Sequence, residues 1–465
     1  MEKNGRNRII LTLFFIALVS SNFLFLSNYF FVDSYQPGVR KNWYFDARYW
    51  IFHQPLIHNI DFDTQLEVLF TSDNDLICLT EFGSIEWIRS LQSCYYPTYV
   101  SADDIAYDSS PEVFWSAQNK LIVYDHAGWS RWTYNVSDII TTKAVTADLD
   151  NNGVKEVLFG TDFGYIYCLN NFGDHLWNIS LGGKIWSAIE ITDFENDDQL
   201  EIIVGGGHQN DAMHCLNYNG TLRWEHSFGF DFEVGSPILT DLTNDSVDEI
   251  VSSIYSGHTI CLNSTGNLVW SYDSLGYHET PAVGDINGDS KPEILFFIYH
   301  PNGLEELICL SNNGDLLWKL ENIAVSSGFP IIYDIDSNGT PDILYSSDDG
   351  LTCRTNTTEI LFSYSKKGYH SNLVEPVVYD YKSDGIVDIL YTDYNEIFSL
   401  RIYNKTLFYG AYMLPLYIFS LIMMTSMIIV VYRGFKSGKL KIRPRKISFS
   451  YVDEDGNEVY YEKEA

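Results

Sequence analysis

Hydrophobic positions along most of the chain fall in short runs that are separated by clusters of Gly, Asn and Asp. Runs such as "EVLFG" (156–160) and "TICLN" (259–263) are rich in β-branched and aromatic residues. Short runs of this composition, bounded by turn residues, predict β-strands. No stretch of residues 33–409 spaces its apolar positions as an amphipathic helix does. The sequence therefore predicts an all-β domain across these residues.

This strand pattern repeats every 44 to 49 residues. In each repeat an acid or Asn is followed eight positions later by a second acid and then Ile or Val. The eight pairs are Asn59/Glu67, Asp104/Glu112, Asp148/Glu156, Asp193/Glu201, Asp241/Glu249, Asp285/Glu293, Asp334/Asp342 and Asp380/Asp388. Each pair precedes two β-rich runs and one further strand; a Gly-x-x-x-Trp turn such as Gly83/Trp87 follows the runs in six repeats, and Phe362 and Phe408 hold the Trp position in the last two. Four short strands per repeat are typical of a β-propeller, so the sequence predicts eight four-stranded blades.

Trp43 suggests how the ring of blades closes. The Trp-like residue of each repeat lies 15 to 18 positions before the next acidic pair, and Trp43 lies 16 before Asn59. It has no preceding blade, so it competes with Phe408, the Trp-like residue of the last repeat, for one strand of the eighth blade. We predict that the Trp43 strand closes this blade, because Phe408 almost adjoins an apolar run. The chain then enters and leaves the propeller on the face that carries the acidic pairs.

Two apolar runs flank this domain. Residues 9–32 contain no charged side chain and follow three basic residues, whereas residues 411–432 precede seven. Both runs are long enough to span a bilayer, and flanking bases mark the cytoplasmic side. The predicted organisation is a cytoplasmic segment (1–8), a transmembrane anchor or cleaved signal peptide (9–32), an extracytoplasmic propeller (33–409), a transmembrane helix (411–432) and a cytoplasmic tail (433–465), basic and then acidic. We therefore expect a cell-membrane protein with both termini cytoplasmic if the first run is uncleaved.

The charge of the chain and the positions of its cysteines argue against nucleic-acid binding and against a disulfide framework. Residues 33–406 carry 55 acids against 18 bases, so this region repels nucleic acid. Six of the seven cysteines occupy one equivalent position, on the third strand of six blades, too far apart for disulfide bonds. We predict that these six are buried packing residues: Cys78, Cys168, Cys215, Cys261, Cys309 and Cys353. Cys94 has no evident partner.

Several acidic pairs begin loops with the ligand spacing of a calcium site. Such a loop places side-chain oxygens at its first, third, fifth and ninth positions, with Gly allowing the turn. Three loops fit well and a fourth fits apart from Asp198 at the Gly position; they are Asp148/Asp150/Asn152/Glu156, Asp285/Asn287/Asp289/Glu293, Asp334/Asp336/Asn338/Asp342 and Asp193/Glu195/Asp197/Glu201. The loops at Asn59/Asp61/Asp63/Glu67 and Asp241/Thr243/Asp245/Glu249 fit in part, and Ala106 and Lys382 spoil the remaining two. We predict structural Ca²⁺; the alternative is that Asp and Asn only brace the turns through backbone hydrogen bonds.

The repeats resemble two known families. "DLDNNGVKEVLFG" (148–160) and "DINGDSKPEILFF" (285–297) look like the FG-GAP repeats of integrin α-subunit propellers, and "GYIYCLNNFGDHLW" (164–177) looks like the strand–turn–Trp segment of PQQ-like propellers. The first resemblance implies an adhesion or receptor protein, and the second a scaffold subunit for envelope assembly or secretion. A quinoprotein oxidoreductase would stack its quinone on two adjacent cysteines, and this sequence has no such pair. We expect no organic cofactor and no enzyme activity.

Aromatic residues in the connections from one blade to the next suggest a partner surface, because interface cores favour aromatic rings. The candidates are Tyr95, Tyr96, Trp186, Phe230, Phe232, Tyr277, His278, Tyr369 and His370. The alternative is that these rings pack between blades. Exposure outside the cell also makes Asn-x-Ser/Thr sequons candidate glycosylation sites, at Asn135, Asn178, Asn219, Asn263 and Asn356. The sequence thus favours a membrane-anchored, calcium-binding surface glycoprotein that binds an extracellular or membrane protein.

Overall fold

The computed structural model describes residues 38–403, apart from 62, 93–98, 230–232, 326–327, 348–349, 366–373 and 381–384, together with 433, 437, 446–452 and 458–464. It divides into a unit of Gln36–Asn404 and a second unit of Met1–Tyr35 and Lys405–Ala465. The predicted spans at 9–32 and 411–432 lie outside the described residues. Within the described part, no helix has the length and apolarity needed to cross a bilayer.

The first unit is an eight-bladed β-propeller, as predicted, and its blades are antiparallel sheets of consecutive strands. The first four blades are β2 (Leu56–His58), β3 (Glu67–Ser72), β4 (Asp75–Leu79) and β5 (Ile85–Ser90); β6 (Tyr99–Asp103), β7 (Glu112–Ala117), β8 (Lys120–Tyr124) and β9 (Ser130–Asn135); β10 (Val145–Ala147), β11 (Glu156–Gly160), β12 (Tyr165–Leu169) and β13 (His175–Ser180); and β14 (Ile189–Thr192), β15 (Glu201–Gly205), β16 (Ala212–Asn217) and β17 (Leu222–Ser227).

The last four blades follow the same order, with one extra short strand, β22, in the sixth. They are β18 (Ile238–Thr240), β19 (Glu249–Ile254), β20 (His258–Leu262) and β21 (Leu268–Asp273); β22 (Tyr277–His278), β23 (Ala282–Gly284), β24 (Glu293–Tyr299), β25 (Glu305–Leu310) and β26 (Leu316–Glu321); β27 (Ile331–Tyr333), β28 (Asp342–Ser347), β29 (Gly350–Arg354) and β30 (Ile360–Ser365); and β31 (Val377–Tyr379), β32 (Asp388–Asp393) and β33 (Glu396–Tyr403) with β1 (Gly38–Asp46).

The ring closes as the sequence predicted. Strand β1 pairs antiparallel with β33, so that Gly38 lies opposite Tyr403 and Trp43 opposite Ser399. Phe408, the competing residue, lies outside the described part. Because strands alternate in direction, the start of β1, the end of β33 and every acidic loop lie on one face, which we call the acidic face. The second-to-third-strand turns and the blade-to-blade connections lie on the opposite face.

Position within a blade determines burial. The first strands of neighbouring blades contact one another around the axis, for example β10 with β14 and β14 with β18. Each second strand begins at the second acid of its pair and is almost wholly buried, because neighbouring blades cover both its faces. Fourth strands alternate between exposed and half-buried positions. This gradient explains the continuous apolar runs that the sequence shows after each acidic pair.

Tryptophans join six of the blades to the next blade. The Trp224 ring packs on Gly266 of the following blade, and its Nε1 donates to the Ser264 carbonyl oxygen at 3.0 Å. Trp43 makes the same contact with Gly83 and the Glu81 carbonyl oxygen across the closure, at 2.7 Å. Directly opposite Trp224 in its own blade lies a buried Cys, Cys215. All six equivalent cysteines are free and buried, which confirms their predicted packing role.

The described part of the second unit contains a β-hairpin that the sequence analysis did not predict. Strands β34 (Lys446–Val452) and β35 (Glu458–Glu464) pair antiparallel, with Lys446 opposite Glu464. The five residues between them, 453–457, are rich in Asp, Gly and Asn, which is the composition of a hairpin turn.

Candidate calcium loops and partner surfaces

In seven of the eight acidic loops the backbone donates a hydrogen bond to the ninth-position carboxylate. The N–H of the second position donates to that carboxylate at 2.9–3.1 Å in seven blades, with donors Ile60, Ile105, Leu149, Phe194, Leu242, Ile286 and Ile335. Only one carboxylate oxygen is used in this way. The contacts of the other oxygen differ between blades. They distinguish candidate cation sites from loops in which an Arg or Asn side chain already contacts this oxygen.

The first-position Asp braces the turn. Asp334 accepts the N–H groups of Asn338 and Gly339 at 2.9 and 2.8 Å, and Asp148 does the same for Asn152 and Gly153 at 3.0 and 2.9 Å. The turn-bracing role that formed the alternative to calcium is therefore present in these loops. It does not compete with an ion, because each carboxylate oxygen has a second lone pair.

Three loops bring three carboxylates together, with one oxygen of each residue lying within 4.8 Å of the others. Two of these loops were predicted with the full ligand pattern, and the third is the partial Asn59 loop; the groups are Asp148/Asp150/Glu156, Asp334/Asp336/Asp342 and Asp61/Asp63/Glu67. Carboxylates so close repel one another unless a proton or a cation lies between them. Each group therefore suits a hard cation such as Ca²⁺.

Asp342 gives the seventh-blade loop a second feature of a metal site. Its side chain is 1% exposed, and Oδ1 has no hydrogen-bond partner among the described residues. Burial, followed by the charge of Asp336, raises the pKa of Asp342 to about 7. A buried, unpaired carboxylate oxygen is costly, and a bound cation would remove that cost.

In two blades an arginine takes the place that a cation would occupy. Arg223 pairs with Glu195 and lies 2.5 Å from Glu201 Oε1, at the third and ninth positions of the fourth-blade loop. In the second blade, Arg131 lies 2.8 Å from Glu112 and 3.1 Å from Asp108. Both arginines immediately precede the blade's Trp, as the sequences of β9 and β17 show. A guanidinium at this position argues against the calcium ion predicted in the fourth-blade loop.

Asp197, predicted as a calcium ligand at the fifth position of the fourth-blade loop, makes turn-bracing hydrogen bonds. Its side chain is exposed, and both its carboxylate oxygens accept hydrogen bonds from Gln199, Oδ1 from the N–H at 3.0 Å and Oδ2 from Nε2 at 3.2 Å. The Asp197 N–H donates to Asp193 Oδ1 at 3.1 Å. Asp197 is not among the three-carboxylate groups of the described residues. Asp197 therefore braces the turn, while Arg223 neutralises the two glutamates of the loop, and the calcium role of Asp197 stays a prediction.

The loop at Asp285/Asn287/Asp289/Glu293 differs in another way. Asn287 Nδ2 donates to Glu293 Oε1 at 2.6 Å, so the second oxygen of the ninth position is already bonded. Asp285 accepts three backbone N–H groups, from Gly288, Asp289 and Ser290. Its acids are not among the three-carboxylate groups of the described residues. This loop resembles the turn-bracing alternative more closely than a calcium site.

Only three of the predicted partner residues are described. Trp186 and Tyr277 are exposed on the opposite face, by 47 and 54%, whereas His278 is fully buried between Thr259 and Ser274, to which its ring nitrogens hydrogen-bond. His278 is therefore a core residue. Tyr95, Tyr96, Phe230, Phe232, Tyr369 and His370 lie outside the described residues. Sequence reasoning missed Trp50, Phe163 and Leu275, which are exposed on the same face.

The candidate glycosylation sites differ in access. Asn135, Asn178 and Asn219 are exposed, and Asn263 is half-buried. Asn356 uses its Nδ2, the atom that would carry a glycan, to donate to the Ile286 carbonyl oxygen of the preceding blade at 3.2 Å. The structure therefore favours the first three positions over Asn356.

Similarity to known proteins supports the fold. Residues 116–182 match the sequence model described as "Lambda-carrageenase beta-propeller domain". A lambda-carrageenase of Pseudoalteromonas sp is 25% identical over 148 residues, which are 31% of this chain and 15% of that enzyme.

Among solved structures, BamB from Moraxella catarrhalis superposes with a TM-score of 0.54 at 14% identity, covering 78% of this chain and 97% of BamB. A quinohemoprotein alcohol dehydrogenase from Comamonas testosteroni gives 0.57 at 12% identity, covering 78% and 76%. Identities this low show a shared propeller fold and carry no activity over.

Proposed function

We propose that this chain is a membrane-anchored extracellular propeller, stabilised by calcium, that binds a protein partner through its opposite face. The observation that carries the partner role is a set of exposed apolar side chains on the turns and connections of that face. They are Trp50, Phe163, Trp186, Leu275 and Tyr277, which are 56, 67, 47, 84 and 54% exposed. Exposed aromatic anchors of this kind supply most of the binding energy at protein interfaces.

Trp186 is the most firmly held of these anchors. Its Nε1 donates to Asp162 Oδ1 at 3.0 Å, and Lys184 lies over its ring, 4.6 Å from the centroid. Lys184 also pairs with Asp162 at 3.1 Å. A ring held in place before binding loses little conformational entropy when a partner covers it. We infer that the third and fourth blades form the centre of the partner surface.

The acidic face suits the side towards the membrane. The propeller's two ends meet on this face, six residues from the run at 9–32 and eight from the run at 411–432. Phe82, Trp129 and Phe172 are exposed on its turns, by 63, 72 and 73%. Aromatic rings favour the membrane interface. In this proposal the acidic loops, stabilised by calcium, face the bilayer.

A scaffold subunit for envelope assembly or secretion is the second candidate. The fold similarity to BamB, of which nearly the whole chain is covered, favours it. An enzyme role has less support, because the quinone-stacking Cys pair of quinoproteins is absent from the sequence. We therefore propose a binding role and no catalysis.

The test is to isolate the full chain from detergent-solubilised membranes and identify cross-linked neighbours. We expect Trp186→Ser with Tyr277→Ser to remove the neighbour that the wild type retains, and Phe82→Ser with Phe172→Ser to leave it bound. Loss in the second variant alone would contradict the assigned face. A stable complex with several membrane subunits would favour the scaffold role over the receptor role.

A further inference from the structure

The turns between third and fourth strands differ in chemistry around the acidic face. In the first three blades these turns carry Phe82, Trp129 and Phe172, which are 63, 72 and 73% exposed. In the fourth to seventh blades the residue equivalent to Phe82 is polar and exposed; these residues are Asn219, Thr265, Asn313 and Thr357. The acidic face therefore has an aromatic side and a polar side.

The most exposed ring of the second blade projects from a braced turn. The Trp129 N–H donates to Asp125 Oδ1 at 2.7 Å. The preceding blade supports the same turn, because Arg89 Nη2 donates to the Ala127 carbonyl oxygen at 2.9 Å and the guanidinium lies 5.9 Å from the Trp129 ring centroid. A ring presented by a braced turn loses little conformational entropy when another surface covers it.

Candidate glycosylation sites follow the same division. Within the described loops and turns of the acidic face, the Asn-x-Ser/Thr sequons all belong to the fourth, fifth and seventh blades; they are at Asn219, Asn244, Asn263, Asn338 and Asn356. In the first three blades, Asn135 ends β9 on the opposite face and Asn178 lies within β13. A glycan is bulky and hydrated. The polar side therefore suits water, and the aromatic side is free of candidate glycans.

The two ends of the propeller lie beside the aromatic side. Both β1 and β33 belong to the eighth blade, and Trp43 of β1 packs on Gly83, in the turn that carries the first aromatic ring. Arg40 and Lys41, near the start of β1, are exposed, and basic side chains near a bilayer surface interact with lipid phosphates. A propeller attached through its eighth blade can tilt towards either neighbouring blade, and the aromatic turns favour the side of the first.

Apolar side chains on the outer wall do not show this division. The first or second residue of a fourth strand is apolar and exposed on both sides, as at Ile85 and Leu176 on the aromatic side and Leu268 and Leu316 on the polar side. These residues belong to the repeat. The aromatic turns do not, so they require a separate explanation.

We propose that the propeller tilts against a phospholipid bilayer on the side of its first three blades, with Phe82, Trp129 and Phe172 in the interfacial region and the sequon-bearing blades raised into water. Aromatic rings favour this region of a bilayer. The inference rests on the membrane anchoring proposed above and adds the direction of tilt. A flat arrangement would instead press the candidate glycans of the acidic face against lipid.

The test compares two single-cysteine variants of the full chain, with Cys94 replaced, in phosphatidylcholine vesicles. Ser84→Cys labels the first blade and Asn267→Cys labels the fifth, on the opposite side of the ring. Both residues are exposed and directly follow the turn's Gly, and both substitutions keep the aromatic rings and the sequons. We expect headgroup nitroxide lipids to quench a fluorophore at position 84 roughly twofold or more strongly than one at position 267, because the neighbouring ring holds position 84 at the interface.

Replacing the aromatic rings should remove this contrast. Phe82→Ser with Trp129→Ser and Phe172→Ser is expected to make quenching at the two positions equal, whereas Leu268→Ser with Leu316→Ser, the control on the outer wall, keeps the contrast. Equal and strong quenching at both positions in the wild-type background overturns the tilt but leaves the orientation of the acidic face standing. Weak quenching at both, with strong quenching at position 163, overturns the orientation and the tilt together.

A protein is the other possible occupant of the aromatic turns. Release of a cross-linked protein by the triple serine variant, with the quenching contrast unchanged, would assign these rings to a protein interface and overturn the lipid assignment.

Discussion

At the scale of single residues, protonation of Asp342 should make the stabilising effect of calcium depend on pH. Its pKa of about 7 lies above that of an exposed Asp, mainly because the side chain is buried. Without an ion, the folded state holds this proton more tightly than the unfolded state does. Asp342 therefore stabilises the fold at low pH, and this contribution is lost as pH rises from about 4 to about 7.

A bound Ca²⁺ would replace that proton. We predict that calcium raises the melting temperature of the propeller more at pH 8 than at pH 5, as measured by thermal unfolding in calcium and in EDTA. Asp342→Asn, which removes the charge but keeps the shape, should abolish most of this difference. Equal stabilisation by calcium at both pH values would show that the ion binds elsewhere.

The neighbouring ligands allow a direct test of the site. Asp334→Ala combined with Asp336→Ala should reproduce much of the loss of melting temperature caused by EDTA, because both residues belong to the three-carboxylate group. Asp285→Ala with Asp289→Ala is the matched control, since that loop lacks such a group. An unchanged melting curve of the wild type in EDTA would leave only the turn-bracing role.

At the scale of single elements, an arginine directly before a blade's Trp occupies the acidic loop of that blade. This residue is Arg in the second and fourth blades, whereas Leu176 and Leu361 take the place in the third and seventh blades, whose loops hold three-carboxylate groups. We predict that Arg223→Leu destabilises the chain by roughly 3 kcal/mol without calcium, because Glu201 is buried and loses its partner. Millimolar calcium should restore much of this loss in thermal unfolding, since Glu195, Asp197 and Glu201 would then be free to turn towards an ion.

Arg131→Leu is the control, because the second-blade loop has Ala106 at the third ligand position. It should destabilise the chain without rescue by calcium. Rescue of both variants, or of neither, would contradict the idea that arginine and calcium are alternatives in these loops.

The Trp–Gly contact gives a further prediction at this scale. Gly266 and Gly339 both have positive φ, at 77 and 89°, but a Cβ at Gly266 would lie 2.6 Å from the Trp224 ring whereas one at Gly339 meets nothing within 4 Å. Gly339→Ala should therefore cost about 1 kcal/mol of backbone strain, and Gly266→Ala about 2 kcal/mol more from the clash. Urea unfolding of the two variants measures the difference, and equal losses would refute the packing role.

The sequence predicted most of the elements but fewer of the contacts. Repetition made the strands and acidic loops visible, because each blade gives the same pattern again, and the spacing of Trp43 was enough to predict closure. The arginines were missed because their partners lie across the sheet, 19 or more residues away in the chain. Burial of His278 was missed because strand β22 has no counterpart in the repeat.

At the scale of the whole molecule, closure by β1 ties the propeller's ends together. The pairing of β1 with β33 covers the edge of β33 that would otherwise lie at the outside of the eighth blade, and β1 becomes the fourth strand of that blade. It also places both ends of the propeller on the acidic face. The connections from Gly38 and Tyr403 to the apolar runs span six and eight residues, or at most about 30 Å when fully extended. If those runs cross a membrane, the acidic face must lie close to it.

Phe172 and Phe163 offer a matched test of this orientation, because they belong to the same blade, lie on opposite faces and are 73 and 67% exposed. We predict that a fluorophore attached through Phe172→Cys, on the acidic face, is quenched more strongly by headgroup nitroxide lipids than one attached through Phe163→Cys. The full chain in vesicles is the sample, and the same labelled protein in detergent without nitroxide is the reference. Cys94 is replaced first, so that the fluorophore attaches at the introduced cysteine. The six buried thiols can stay, because burial raises their pKa values and keeps them unreactive. Stronger quenching from position 163 would show the opposite orientation, with Trp186 and Tyr277 against lipid. An extracellular protein could then not reach the proposed partner surface.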